Sequence, residues 1–274
     1  MWFESMPRAG GLCAACWIAL TTIAMPAHAE LSAEDLAKLA QNPVGNLISV
    51  PFQNNTNLNF GPEKGTQNVL NIQPVIPVSV NDDWNVITRT ILPVISMPAL
   101  DAVTPSLNGV GDVVFTAFLS PAKPGEWIWG AGPVIQAPTH SNSELGNNNW
   151  GLGPAFVVLH LAHGDPWVYG ALVNNIWSVS SGGQGGSYSN MTLQPFVNYN
   201  FPGFYLTTSP IVTANWKAEG SQRWTVPLGG GIGKIFHLGK LPVNAQISAY
   251  YNVARPDNAA NWQIRVQAQF MFPK

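Results

Sequence analysis

The segment near the end of the chain, residues 261–272, alternates polar and apolar side chains with a period of two. One face carries only apolar side chains. The other carries four amides and Arg265, with Met271 as its single apolar member. A period of two is the period of a β-strand, and strict alternation requires a polar surround on one side and an apolar one on the other. The segment is therefore expected to form part of a wall between two environments.

The same period recurs from about residue 45 onward. The segments lie near residues 46–54, 67–80, 84–96, 111–120, 127–137, 149–160, 167–178, 189–201, 204–216, 223–236, 241–253 and 261–272. Most have the length of a tilted membrane crossing, which takes about 9–11 residues. Short connections such as 81–83 alternate with a second set, mostly longer and polar, that includes 55–65 and 179–188. An even number of strands with this alternation is typical of outer-membrane barrels.

Composition supports a membrane barrel over a periplasmic all-β sandwich. Charged residues make up 9% of the chain, against about 25% in ordinary soluble proteins. Eleven tryptophans occur, and the nine after residue 29 lie near predicted strand ends, as in the aromatic girdles of a membrane barrel. In a sandwich, tryptophan would instead be expected mid-strand in the core.

Residues 1–29 have the features of a secretory signal. Arg8 supplies a positive charge, residues 10–25 are uncharged and mostly apolar, and Ala27-His28-Ala29 is a small-x-small cleavage site. Both cysteines lie inside this segment, so the mature chain is expected to have no disulfide and no thiolate metal site. The predicted domains are the signal peptide at 1–29, a short helix and linker at 30–44, and the barrel at 45–274.

The helix is predicted at residues 32–41, where Ser32 and Asp35 have capping-box spacing and Asn42-Pro43 follows. About nine residues are too few for a stable free helix in water, so it should rest on another surface. We expect it to occlude part of the lumen or its periplasmic mouth, with Glu34 and Asp35 reaching Arg89 or Arg265.

The fold predicted is all-β, a twelve-stranded antiparallel transmembrane β-barrel with a short N-terminal helix. The polar face of each strand is expected to face the lumen. Side chains on that face are the candidate substrate-binding residues. These are Arg89, Gln194, Phe196, Asn198, Gln246, Tyr250, Arg265 and Gln267, with Lys234 as a further lumen charge. Arginines inside a barrel can pair with acids that hold an internal element, or bias a pore toward anions. Because lumen charges are so few, pairing is the favoured role.

Glycines recur at alternate positions of predicted strands, at 130 and 132, at 151 and 153, and at 229, 231 and 233. One interpretation is relief of crowding where the wall bends. The other is a smooth lumen patch that the helix or a solute approaches. The first is favoured.

Catalytic and metal chemistry has little support in the sequence. His160, His163 and Asp165 form one metal-like cluster, but they lack helical ligand spacing and a third firm ligand, so a polar turn is favoured. No catalytic residue, metal site or cofactor is predicted. After residue 29, removal of Arg8 and Glu4 leaves 11 basic (12 − 1) and 13 acidic (14 − 1) residues, with no polybasic footprint for nucleic acid.

Several stretches carry a family resemblance. They are NPVGNLISVP at 42–51, LNIQPV at 70–75, WNVITRTI at 84–91, GAGP at 130–133, WGLGP at 150–154 and WTVPLGGGIGK at 224–234. The chain resembles the outer-membrane transporters of the "meta-pathway of phenol degradation" family, some of which are mislabelled neuromedin U. The resemblance covers most of residues 42–274. It implies an outer-membrane barrel with a transport role and brings no catalytic residues.

The function expected is therefore an outer-membrane channel or transporter for small, weakly charged molecules, including aromatic or amphipathic ones. The partners expected are outer-membrane lipid, a small solute and, during biogenesis, the barrel-assembly machinery. Two alternatives stay open. One is a structural or adhesive barrel that contacts a partner through its outer loops, and the other is an outer-membrane hydrolase with a Ser/His pair.

Overall fold

The structure is a computed structural model that describes residues 33–101, 103–179 and 186–273. The predicted signal peptide at 1–29 and the first residues of the predicted helix, including Ser32, lie outside these ranges. Within them, no helix is long and apolar enough to span a membrane.

The described residues form one α-helix, two single-turn 3-10 helices at Ser143–Leu145 and Gly220–Gln222, and twelve strands, three of which are interrupted. The helix α1 is Ala33–Ala40. The strands are β1 Ile48–Phe60, β2 Gly65–Ile72 with Val75–Ser79, β3 Trp84–Met97, β4 Leu107–Val110 with Val113–Pro121, β5 Trp127–Ala137, β6 Gly151–Leu161, β7 Trp167–Ser178, β8 Ser189–Phe201, β9 Phe204–Thr208 with Val212–Asn215, β10 Trp224–Leu238, β11 Leu241–Ala254 and β12 Trp262–Phe272.

Each strand pairs antiparallel with the next, and the last pairs with the first. The closing register runs from Ile48 opposite Phe272 to Leu58 opposite Trp262. Closure leaves no unpaired sheet edge, which is what a β-structure needs in hydrocarbon, where no water can satisfy backbone groups. The twelve-stranded antiparallel barrel predicted from the sequence is confirmed.

The two faces of the wall differ as the alternation predicts. In β12, Val266 is 50% exposed on the outer face, whereas its neighbour Arg265 is 1% exposed in the interior. Eight of the nine tryptophans that the structure describes are exposed near the strand ends and form two belts. Trp127, Trp129 and Trp167 lie at the end with short turns, and Trp150, Trp177, Trp216, Trp224 and Trp262 at the end with long loops. An apolar outer band between aromatic girdles places the protein in the outer membrane.

The first strand is longer than the sequence indicated. Residues 55–60 belong to the polar connection predicted at 55–65, but they extend β1 to Phe60. Leu58 pairs with Trp262 on one side and Thr66 on the other, so both neighbouring strands satisfy the backbone. The Asn55 and Asn57 side chains bond other lumen amides rather than forming turns. The loop shrinks to a tight turn at 61–64.

Helix α1 lies against the inner wall at the short-turn end. Its Leu36 and Ala37 pack with Leu47, Tyr205, Ile235 and Met271 in one buried apolar cluster. Gln41 after the helix donates from Nε2 to Asn200 Oδ1 at 2.8 Å, near the short turn after β8. Met271, the one exception to the alternation of β12, is thus the inner-face contact for the helix.

Candidate functional site

Two cavities run through the barrel interior. The loop-side cavity measures about 780 Å³ and reaches loop residues such as Ala218 and Pro256. The helix-side cavity measures about 150 Å³ and is bounded at the short-turn end by residues 39–43. Both are lined by the same five residues, which are Gln53, Gln73, Arg89, Leu172 and Gln194. The two cavities are therefore adjacent and share this part of the wall, and α1 and its linker bound the smaller one.

Seven of the eight predicted site residues line the helix-side cavity. They are Arg89, Gln194, Phe196, Asn198, Gln246, Arg265 and Gln267. The eighth, Tyr250, is fully buried, and its ring lies 4.9 Å from the guanidinium carbon of Arg265. The structure therefore brings all eight to one region of the lumen. Their role in binding a solute stays a prediction.

Arg265 crosses the lumen from β12 to the interruption in β9. Its Nη1 donates to the Ser209 carbonyl at 2.8 Å, and its Nε donates to Asn55 Oδ1 at 3.0 Å. Ser209 also donates from its backbone N–H to the Tyr250 hydroxyl, and its Oγ accepts from Gln194 Nε2. The gap in β9 at 209–211 thus supplies backbone groups to a network that narrows the lumen.

The predicted ion pairs between the helix and the lumen arginines do not form. Glu34 pairs with Lys38 of the same helix at 3.1 Å. Arg89 donates to Gln73 Oε1, and within the described ranges neither Arg89 nor Arg265 has a carboxylate within ion-pair distance. The helix is held by the apolar cluster around Met271 and by Gln41, a contact that charge counting could not reveal.

The structure also corrects the placement of Lys234, which was predicted in the lumen but faces outward. It is exposed, and its neighbour Gly233 is the inward residue, whose added Cβ would meet the Tyr205 ring. Lys234 lies four residues before the end of β10 at Leu238. A long lysine side chain there can extend its ammonium group along the wall toward water.

Sequence reasoning missed an inner-face aromatic residue. Tyr205 is 2% exposed, lines the helix-side cavity and donates from its hydroxyl to Asn244 Oδ1 at 2.7 Å. It belongs to the predicted strand 204–216. Phe204, Tyr205 and Leu206 are all apolar there, so the sequence does not show which of them faces the lumen. The inward glycine at 233, directly opposite Tyr205 in register, was the available signal.

The glycines divide between the two interpretations. Added Cβ atoms at Gly132, Gly153 and Gly231 would meet backbone carbonyl oxygens of neighbouring strands at 2.0 Å or less, so they allow close strand approach at bends. Gly130 differs, because a Cβ there would lie 3.3 Å from Val44 in the linker after α1. The smooth-patch interpretation therefore fits Gly130.

In the described part of the long loops, Asp112 and His140 form a buried His–carboxylate pair. Asp112, at the interruption in β4, lies 2.6 Å from His140 Nδ1, and its Oδ2 accepts from the Asn147 N–H at 2.7 Å. His140 Nε2 faces Asn148 Oδ1 at 3.0 Å rather than a serine hydroxyl. Burial and the charge of Asp112 raise the pKa of nearby Tyr188 to about 12. The pair holds the loop, and among the described residues the two imidazole nitrogens of His140 face Asp112 and Asn148.

His160 lies at the opposite end of the barrel, in an aromatic contact. It stacks on Tyr169 with ring centroids 5.1 Å apart, and Asp165 is 3.9 Å from its Nδ1. Across residues 33–101, 103–179 and 186–273, no group of three or more His, Cys, Asp or Glu side chains is arranged to hold a metal ion. The turn chemistry expected here is seen directly, since Asp165 Oδ1 accepts from the Trp167 N–H.

Comparison with solved structures finds several similar chains. The COG4313 outer membrane channel from Pseudomonas putida F1 is 20% identical, with a TM-score of 0.61 over 84% of this chain and 96% of that one. The NanC porin is 11% identical, with a TM-score of 0.49 over 83% and 100%. The outer membrane phospholipase A from Escherichia coli is 11% identical, with a TM-score of 0.45 over 89% and 99%.

At 20% identity, the likeness to the COG4313 channel shows the barrel fold alone. No family model matches the chain. No curated protein matches it either. The resemblance to the meta-pathway transporters therefore stays an expectation, and the fold shown is that of an outer-membrane β-barrel.

Proposed function

We propose that this protein is an outer-membrane channel for small, weakly charged molecules, including aromatic or amphipathic ones. The observation that carries the proposal is the pair of adjacent cavities that share Arg89, Gln73 and Gln194 inside a closed barrel. An adhesive barrel needs no such interior space. A Ser/His hydrolase needs a nucleophile, and the one buried His–carboxylate pair in the described ranges has an amide in that place.

The wall chemistry sets what can pass. Amide side chains dominate the helix-side cavity, namely Gln53, Gln73, Gln194, Asn198, Asn244, Gln246, Gln267 and Gln269. Amides offer both hydrogen-bond donors and acceptors without a net charge. Phe196 and Leu172 add apolar surface beside them. A molecule with a polar group and an apolar body fits both kinds of wall.

Helix α1 is the expected restriction at the short-turn end. Residues Leu39 to Pro43 form part of the helix-side cavity wall, and Leu36 anchors them through the buried cluster. A helix of eight residues is too short to persist without that contact. Passage to the short-turn end therefore requires the helix or its linker to shift.

The test is liposome swelling with neutral sugars and small aromatic compounds, using the mature chain from Glu30 and a variant lacking residues 31–41. Both should admit solute, and the truncated form should admit it faster. Leu36→Asp should act like the truncation, because a buried carboxylate undocks the helix. Leu36→Met, which keeps an apolar side chain of similar volume in the buried cluster, should behave as the wild type. Absence of swelling with every form would contradict the channel.

A further inference from the structure

Three arginines follow one another along the lumen, from the long-loop end toward the short-turn end. Arg223 lines the loop-side cavity, Arg89 lines both cavities, and Arg265 lines the helix-side cavity. Neither cavity is lined by an aspartate or a glutamate of the described residues. The wall of the pathway therefore carries positive charge only.

The hydrogen-bond partners of these arginines are neutral. Besides the Ser209 carbonyl and the Asn55 amide, Arg265 donates to Gln263 Oε1 at 3.1 Å, and its π contact is with Tyr250. A guanidinium has five N–H groups. One N–H on each terminal nitrogen of Arg265 is thus left without an acceptor in the described part of the chain.

Arg223 shows the same deficit at the loop end. Its Nη2 donates to the Ala218 carbonyl at 3.3 Å, but its Nε is buried and has no partner among the described residues. A buried polar group without a partner costs free energy, and a buried charge without a counter-charge costs more. Arg265 is buried and Arg89 and Arg223 are half-buried, so the three cations together form a positive field that an anion in the lumen would neutralise.

We infer that the lumen selects organic anions, and that Arg223, Arg89 and Arg265 form successive subsites for a carboxylate group. This inference rests on the proposed channel function. It adds that the solute carries a negative charge. The preferred solute is a small monocarboxylate with an aromatic or other apolar body. Its carboxylate accepts from the guanidinium groups, while its body lies against Phe196 and Leu172 in the helix-side cavity.

The test compares three probes that share one ring and differ in charge, namely benzoate, benzyl alcohol and benzylammonium. Their influx is measured into liposomes that contain the mature wild-type chain. Benzoate should enter about fivefold faster than benzylammonium or more, the factor for one charge at 4 Å in bulk water. In planar bilayers under a salt gradient, the reversal potential should have the sign of chloride selectivity.

Two substitutions locate the effect. Arg265→Gln should reduce the benzoate-to-benzylammonium ratio several-fold, whereas Arg265→Lys, which keeps the charge, should retain most of it. The matched control is Arg255→Gln, an equal loss of charge in a long loop that lines neither lumen cavity. Heat-modifiable migration on gels reports whether each barrel is folded, and Arg89→Gln serves in place of Arg265→Gln if that variant does not fold.

The outcomes are separable. Equal entry of the three probes, or preference for benzylammonium, would overturn the anion inference and leave the channel standing. An equal loss of selectivity in Arg255→Gln and Arg265→Gln would also overturn it, because the effect would then arise from surface charge in general. Entry of all three probes no faster than into protein-free liposomes would contradict the channel function itself.

Discussion

At the residue scale, the alternation of β12 carried most of the information. Arg265, Gln267 and the lumen side chains of β8 and β11 were placed correctly because each lies in a segment with one polar and one apolar face. Lys234 was assigned to the lumen because it is charged, although the alternation of its strand places it on the outer face. The partners of Arg265 could not be read from the sequence, since Asn55 and Ser209 come from distant strands.

The face assignment predicts unequal costs for the same substitution at adjacent positions. Val266→Arg puts a charge on the lipid side near the middle of β12, which costs about 2–4 kcal/mol in a barrel near the bilayer midplane. Gln267→Arg puts it in the lumen beside the helix-side cavity and should cost much less. Folding yields in liposomes, read from gel migration, measure both. Equal yields would mean that the phase is reversed.

At the element scale, the sequence located all twelve strands but not their interruptions. The broken strands β2, β4 and β9 have gaps at 73–74, 111–112 and 209–211. Pro74 and Pro210 lack a backbone donor, which explains two of the gaps. The gap in β4 depends on Asp112 and the loop that folds onto it, a contact between residues about 30 positions apart. Such contacts leave no periodic signal.

Asp112 should hold the loop at 138–149 in place. It pairs with His140, and it accepts from Gln136 Nε2 and the Asn147 N–H. Asp112→Ala removes hydrogen bonds to a charged group, each worth about 1.5–3 kcal/mol. We expect faster hydrogen exchange and proteolysis in this loop, while the barrel stays folded. As a control, Asp257→Ala in another long loop should leave residues 138–149 protected.

At the scale of the whole molecule, low charge, girdles and alternating connection lengths predicted a closed barrel, and closure is seen in the pairing of β1 with β12. The arrangement of side chains inside the barrel was harder to predict from the sequence. Whether a helix docks inside depends on a few apolar contacts such as Leu36 with Met271, and those emerge only once the wall is closed. The domain boundaries, the signal peptide and the assembly partner stay predictions.

Orientation in the membrane follows from the same scheme. A protease site inserted at Ser221, in a long loop, should be cut on intact cells. One inserted between Asp82 and Asp83, in a short turn, should be protected until the outer membrane is opened. The reason is that barrels have short periplasmic turns and longer extracellular loops. Cleavage of the short-turn site on intact cells would reverse the assignment.

If solutes pass through the barrel interior, then a bulky group placed in that interior should reduce their passage. Gln194 lines both cavities, while Val197 on the same strand is 39% exposed on the outer face. Gln194→Cys and Val197→Cys are labelled in detergent with a bulky maleimide, checked by mass spectrometry and reconstituted in planar bilayers. We expect the label to lower conductance at position 194 and to leave it unchanged at 197. Conductance that is insensitive to the label at 194 would contradict passage through the interior.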